Sequence, residues 1–176
     1  MAKALPDGRI YSSEPCSETF ENLKRNTARF LNVEAVNIAL GDQVERHRMQ
    51  IQEYSTINSL TRPIDDDQMV ETVEIITVDG FAAERKLSRI SLLKRDTEGF
   101  DIEVLRGANG LLATKAIDYN LSETCFYRKM DLPQTDFGKL SDYLSRFDYH
   151  LCHLYETVYA TSGGAALWCN ALYTWH

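Results

Sequence analysis

Three acidic side chains stand where predicted strands of this chain end. Glu14 follows a strand at 9–13, Asp96 ends a strand at 88–96, and Glu123 follows a strand at 116–122. Ligands of open α/β sheets bind beyond the carboxyl ends of the strands, so these acids carry more weight than charges elsewhere. Glu14 is placed to accept hydrogen bonds from ribose hydroxyls, although a solvated turn residue or a helix-cap partner would look the same.

The run LLKRDTEG at 92–99 places two cations and two acids around the end of an otherwise apolar strand. Lys94 and Asp96 share one side of that strand by period-two geometry, and Arg95 lies on the opposite side. A central parallel strand is buried on both faces, and a buried lysine requires an anionic or hydrogen-bonding partner. The run therefore indicates either an ion pair that holds the loop or a functional site. Gly99 lets the backbone turn sharply into the next helix.

Hydrophobic periodicity and turn residues predict the elements that position these groups. Strands are expected at 9–13, 33–40, 88–96, 116–122, 149–156 and 167–173, and helices at 17–31, at 100–106 and from Thr135 or Asp136 onward. Ser17 supplies the capping hydroxyl of the first helix, and Gly107 stands where a left-handed cap is expected. Alternating apolar residues at 44–54 and 69–78 predict an antiparallel excursion, with a loop at 57–67 between its two arms.

Strands that alternate with helices predict an α/β fold with a mainly parallel sheet, closed by an antiparallel C-terminal hairpin. The length of 176 residues fits a single domain. A formal net charge of −7 without a dense basic cluster argues against nucleic acid as a partner. No apolar run is long enough to span a membrane, and the polar N-terminal residues do not form a signal peptide, so the expected location is the cytoplasm.

Metal binding receives little support from the sequence. The four cysteines have no CxxC spacing. In the run at 150–153, His150 and Cys152 face one way on a strand and His153 the other, and three consecutive acids at 65–67 cannot all face one ion. We therefore expect neither a metal site nor a disulfide.

The passage LLKRDTEGFDIEVLRGANGLL resembles the motif of the FkbM family of methyltransferases, which has a lysine, an aspartate two residues on, Glu-Gly, and a helix ending in a basic residue, Gly and Ala. The passages VETVEIITVDGF, YSSEPCSETFENLKRN and NIALGD also resemble family segments in family order. Arg95 and Thr97 depart from the aliphatic residues usual there. The resemblance implies a Rossmann-like class I methyltransferase fold and S-adenosylmethionine as the cofactor.

Carried onto this chain, the resemblance implies that Glu14 binds the cofactor ribose and that Ala39 and Leu40 lie near the adenine. It also implies that Asp96 and Glu98 face the transferred methyl group or the substrate. For O-methylation, the protein must align the acceptor hydroxyl and remove its proton.

Asp96 is the first candidate for the base of that reaction. Lys94 or Glu98 would tune it electrostatically, and Glu123 would complete an acidic rim. The implied acceptor is a hydroxyl of a sugar, glycolipid or secondary metabolite, which makes a small molecule or glycan the expected partner.

The family's first strand and its glycine-rich turn of the GxGxxG kind have no counterpart in this sequence. That strand would lie between those ending at Glu14 and Asp96, so residues 1–176 are expected to form an incomplete domain. We favour the interpretation that Met1 is internal to a longer protein, over a degraded gene product or a stable fragment with altered pairing. A noncatalytic remnant or interaction module is the alternative function, and unpaired strand edges predict self-association. An NAD-dependent oxidoreductase would share the strand-end acid but leaves the run at 94–99 unexplained.

Overall fold

The computed structural model of this chain describes residues 2–3, 5–51, 60, 69–126, 134–160 and 164–176. The loop predicted at 57–67 lies outside the described residues except for Leu60, as do the three acids at 65–67. The turn of the predicted C-terminal hairpin lies partly outside them.

The described residues form ten strands and five helices, which are numbered here in chain order. The strands are β1 (Ile10–Ser13), β2 (Val33–Val36), β3 (Ala39–Leu40), β4 (Glu45–Gln50), β5 (Val70–Ile76), β6 (Ile90–Arg95), β7 (Ile117–Cys125), β8 (Thr135–Asp136), β9 (His150–Tyr159) and β10 (Ala166–Thr174). The helices are α1 (Ser17–Thr27), α2 (Val78–Glu84), α3 (Asp101–Arg106), α4 (Asn109–Ala113) and α5 (Phe137–Ser145).

The strands form three separate sheets. One pairs β1 with β2 in parallel, and a second has the order β3-β5-β4. The third has the order β6-β7-β10-β9, with β8 beside β7. In this sheet β6, β7 and β8 run parallel, but β10 is antiparallel to both β7 and β9. The α/β class is therefore confirmed, whereas a mostly parallel sheet is not, because the closing hairpin and the β4-β5 pair make the sheets mixed.

The strand predicted at 33–40 is broken at Asn37. Its side-chain Nδ2 donates to the carbonyl oxygens of Glu14 at 2.9 Å and Pro15 at 3.0 Å. Asn37 is thereby tied to the turn that follows β1, and the chain leaves β2 to begin β3 beside β5. One apolar run thus supplies strands to two sheets.

The first helix starts where it was predicted but is capped differently and ends earlier. Cys16 is its N-cap residue and provides no side-chain cap. Glu71 of β5 instead accepts from the backbone N–H of Ser17, with both carboxylate oxygens 3.1 Å from the nitrogen, and also from its hydroxyl. The prediction that Ser17 supplies the cap is therefore wrong. Helix α1 ends at Thr27, whose hydroxyl bonds back to the Leu23 carbonyl at 2.7 Å.

Two short helices were not predicted. Thr77 caps α2 by accepting from the Gly80 N–H at 3.0 Å. Asp79 in α2 then caps α4, since its carboxylate accepts from the N–H groups of Gly110 at 2.8 Å and Leu111 at 3.0 Å. These helices are too short for periodicity to reveal, and side-chain caps hold both of them.

The main core lies where α3, α4 and α5 cover the third sheet. Its fully buried side chains include Leu105, Leu112, Ile117, Leu140 and Leu144. A smaller cluster of Cys16, Met49 and Val73 joins the start of α1 to the β4-β5 pair. The predicted antiparallel excursion is confirmed, with Met49 opposite Glu71 and His47 opposite Val73.

Candidate active site

The acids that follow the adjacent parallel strands β6 and β7 lie together. Asp96, Glu98 and Glu123, the acidic rim, each place one carboxylate oxygen so that all three oxygens lie within 4.8 Å of one another. Glu123 lies inside β7 rather than after it, because that strand continues to Cys125.

The geometry of the rim follows from strand register and from the turn after β6. Arg95 is paired with Ser122, so the next positions, Asp96 and Glu123, are also side by side at the same edge of the sheet. Glu98 and Gly99 both have left-handed backbone conformations, with φ of 49° and 96°, which bring the chain sharply round before α3 begins. A glutamate with positive φ is uncommon, and such residues cluster at functional sites.

Glu123 is the rim carboxyl with an altered acidity. Partial burial raises its pKa above the ordinary value, and repulsion from Asp96 raises it further. A hydrogen bond from the side chain of Gln134 and the charge of Lys94 act in the opposite direction. The proton affinity of Glu123 is therefore set by its partial burial together with Asp96, Gln134, Lys94 and Asp101.

Lys94 is not the buried cation of this strand. Its Nζ lies 3.1 Å from Asp96 Oδ2, and 42% of the lysine side chain and 52% of the aspartate side chain are exposed. Burial of β6 on both faces was expected, but the face carrying Lys94 is open at this end. The ion pair predicted as one interpretation of the run is present, and it is exposed to solvent.

Arg95 is the buried cation, and its partner Asp101 was not predicted. The guanidinium Nε lies 3.6 Å from Asp101 Oδ1, with 1% and 2% of the two side chains exposed. Arg95 Nη1 also donates to Asn120 Oδ1 at 2.9 Å. Burial lowers the pKa of Arg95 to about 10, although the negative charge of Asp101 favours the charged form. The available signal was an arginine on the core-facing side of β6, which requires an anionic partner.

Glu14 directly follows β1, whose sheet contains neither β6 nor β7. Its Oε1 accepts from the Cys16 N–H at 3.0 Å, and its other oxygen accepts no hydrogen bond from the described part of the chain. Burial raises the pKa of Glu14, and the nearby negative charge of Glu71 adds to the shift. A half-buried carboxylate with one uncommitted oxygen fits the hydrogen-bonding needs of a ribose hydroxyl.

The other two positions implied for the cofactor lie in β3. Ala39 is buried at 4% exposure, and Leu40 is half-buried and packs against the main core. Ala39 therefore offers little side-chain surface to a ligand, whereas Leu40 retains part of its own.

A cavity of about 310 Å³ opens beside the turn that carries Glu14. Pro15 and Asn37, which follow β1 and β2, line one side, and Arg46 and Glu74 line another. The walls are largely polar, so their side chains can hydrogen-bond to hydroxyl groups. None of the helices in the described ranges has the length and apolar character needed to cross a membrane.

The fold and the site describe one class of protein. It is an α/β domain with acids near the carboxyl ends of the adjacent parallel strands β6 and β7, and with a further acid after β1. The family model of the methyltransferase FkbM domain matches residues 1–151. The chain therefore belongs to the FkbM methyltransferase family, and the predicted family is confirmed.

The fold is also similar to a solved structure of the same family. The crystal structure of methyltransferase FkbM from Methylobacillus flagellatus KT, at 2.20 Å resolution, matches with a TM-score of 0.53 and 16% sequence identity. The match covers 95% of this chain and 36% of that one, so the present chain spans about a third of the solved chain's length. No curated protein matches the chain.

Proposed function

We propose that the chain carries the acceptor side of an S-adenosylmethionine-dependent methyltransferase that transfers a methyl group to a hydroxyl. The observation that carries the proposal is the convergence of the three rim carboxylates within 4.8 Å at the carboxyl edge of parallel strands, in a chain of a methyltransferase family. A hydroxyl acceptor fits this arrangement, because a hydroxyl must lose a proton as it is methylated and a carboxylate can accept it.

Asp96 is the proposed base. It is exposed, it follows β6 directly, and Lys94 holds its carboxylate from one side at 3.1 Å. Glu123 lies beside it, with a carboxylate oxygen within 4.8 Å of those of Asp96 and Glu98. Glu98 supplies the third carboxylate and orients an acceptor hydroxyl by hydrogen bonding.

Glu14 is the proposed ribose ligand, and Leu40 and the backbone at Ala39 are the proposed contacts of the adenine. The bound cofactor would supply an electrophilic methyl group. The chain's own contribution on this side is to hold the ribose through Glu14 Oε2 and to enclose polar groups in the neighbouring cavity. The acceptor is proposed to be a small molecule or glycan, such as a sugar, glycolipid or secondary metabolite, in the cytoplasm.

A noncatalytic role of the same fold is the second candidate, and the sheet edges favour it. Within the described ranges, β1 pairs only with β2, and β6 only with β7. Open strand edges of this kind favour self-association.

Methyl transfer to hydroxyl acceptors tests the proposal. The chain is incubated with S-adenosylmethionine carrying a labelled methyl group and a panel of monosaccharides and hydroxylated metabolites, and product is quantified. We expect labelled product from the unchanged chain, a loss of at least about 100-fold in Asp96→Asn, and no loss in Asp142→Asn, an exposed acid on α5. Equal turnover in Asp96→Asn and Asp142→Asn contradicts the assignment of the base.

A turnover below detection in the unchanged chain, combined with self-association in solution, would favour the noncatalytic role. Sedimentation analysis measures that association independently of any substrate.

A further inference from the structure

Asp101, the first residue of α3, collects hydrogen bonds from several elements around the rim. Its Oδ2 accepts from the hydroxyls of Thr97 at 3.0 Å and Thr135 at 2.9 Å. Its Oδ1 accepts from the hydroxyl of Ser122 and lies 3.6 Å from Arg95 Nε. The Asp101 side chain is 2% exposed, so its charge depends on these partners rather than on water.

Each hydroxyl that reaches Asp101 belongs to a residue adjacent in sequence either to a rim acid or to Gln134, a hydrogen-bond partner of a rim acid. Thr97 lies between Asp96 and Glu98, and Ser122 immediately precedes Glu123. Thr135 follows Gln134, whose side chain hydrogen-bonds to Glu123.

Alternation along a strand explains this arrangement. Successive side chains of a strand point to opposite faces. Ser122 and Arg95, paired in register, are both buried on the core side, so Glu123 and Asp96 lie on the other side. Asp101 and its partners therefore lie on one face at the ends of β6 and β7, and the acidic rim lies on the other face.

We propose that Asp101 is a positioning residue, which holds the β6 turn, β7 and β8 in the register that keeps the rim carboxylates together. The importance of this role for turnover rests on the proposed function, but the positioning itself does not. Without these bonds, the like charges of Asp96, Glu98 and Glu123 would separate the turn from β7.

Two substitutions that retain the charge of Asp101 test the proposal through opposite effects on Glu123. Thr97→Val removes the hydroxyl that holds the turn, so Asp96 moves away from Glu123 and the pKa of Glu123 falls. Thr135→Val removes the hydroxyl that ties β8 to Asp101, while the pairing of β8 with β7 and the bond from the Thr124 hydroxyl to the Thr135 carbonyl remain. Gln134, which precedes β8, then shifts away from Glu123, and the pKa of Glu123 rises. Both changes keep the volume of the side chain nearly constant.

The charged, titratable and polar groups that face Glu123 are Asp96, Glu98 and Lys94 around the rim, Asp101, Gln134, and Cys169 and Asn170 of β10. Neither substitution changes any of them. The pKa of Glu123 is measured by carbon NMR of its side-chain carboxyl during a pH titration of the full chain. Thr114→Val is the control, because Thr114 is exposed and its hydroxyl donates to the carbonyl oxygens of Gly110 and Leu111 in α4.

We expect the pKa of Glu123 to fall in Thr97→Val, to rise in Thr135→Val and to stay unchanged in the control. Thr97→Ser, which restores the hydroxyl, should return the pKa of Glu123 to that of the unchanged chain. If Thr135→Val does not fold, the comparison of Thr97→Val with Thr97→Ser still tests the positioning role. Shifts of the same sign in both valine variants, or a Thr97→Val that titrates like Thr97→Ser, overturn the positioning role. Because the titration uses no substrate or cofactor, its result can be interpreted even if the chain does not transfer a methyl group.

Discussion

Gly41 and Gly107 meet backbone to backbone: a β-carbon built on Gly107 would lie 1.9 Å from the carbonyl oxygen of Gly41. This approach joins the turn after β3 to the end of α3. A β-carbon on Gly41 would in turn meet Ile75 at 2.6 Å and Phe100 at 3.1 Å. The segment implied for the adenine is therefore anchored to the helix that follows the rim.

Gly107→Ala should destabilise the fold by at least about 3 kcal/mol, because backbone rather than a flexible side chain must move to admit the methyl group. Chemical denaturation measures the loss. Gly8→Ala is the control, since its nearest neighbour would be the Leu5 Cβ at 3.3 Å. Similar stabilities of the two variants would contradict the close approach.

Gly107 also marks a limit of reasoning from sequence. Its position after a helix predicted a left-handed cap, but it has φ −71° and ψ −5°, so that prediction is wrong. The glycine is required by a contact with a residue 66 positions earlier. Local patterns carry no information about such an approach.

Other features followed from local patterns more directly. Alternation around Met49 and Val73 predicted the antiparallel pair, and acids after successive strands predicted the rim. Asp101 was missed because it looks like an ordinary acid in the first turn of a helix, and only the fold brings Ser122 and Thr135 to it.

Glu71→Ala should destabilise the chain by about 1 kcal/mol, the usual value of a helix N-cap. The substitution leaves the Ser17 N–H without its acceptor from β5. Glu74→Ala is the matched control, because Glu74 is an exposed glutamate of the same strand. Urea denaturation of the two variants should separate them, and an equal loss would show that Glu71 does not cap α1.

Arg95→Met should cost about 3–5 kcal/mol, since it leaves Asp101 as a buried charge without its cation. The double variant Arg95→Met/Asp101→Asn should be more stable than Arg95→Met alone, because the uncompensated charge is gone. Denaturation of Arg95→Met, Asp101→Asn and the double variant completes a mutant cycle. Strictly additive losses would contradict the coupling of these two residues.

Glu123→Gln should stabilise the chain at neutral pH while impairing methyl transfer. The folded-state pKa of Glu123 is raised above the ordinary value of 4.5, so the folded state binds the proton more tightly than the unfolded state does. Stability therefore falls as pH rises from about 4.5 through the folded pKa, and it stays lower above that.

The glutamine variant lacks this titration, so its stability should decline less across that window. Thermal denaturation at a series of pH values measures the difference. Glu18→Gln, an exposed acid in the first turn of α1, is the control. A parallel pH dependence of Glu123→Gln and the unchanged chain would contradict the raised pKa.

Titration of the isotope-labelled chain with S-adenosylmethionine, followed by amide NMR, tests directly whether the chain holds the cofactor beside the acidic rim, because it detects even millimolar binding. We expect shifts in amides beside Glu14 and along residues 96–99, with the shifts beside Glu14 greatly reduced in Glu14→Gln. An absence of shifts up to millimolar cofactor, or identical shifts in Glu14→Gln, would contradict this prediction.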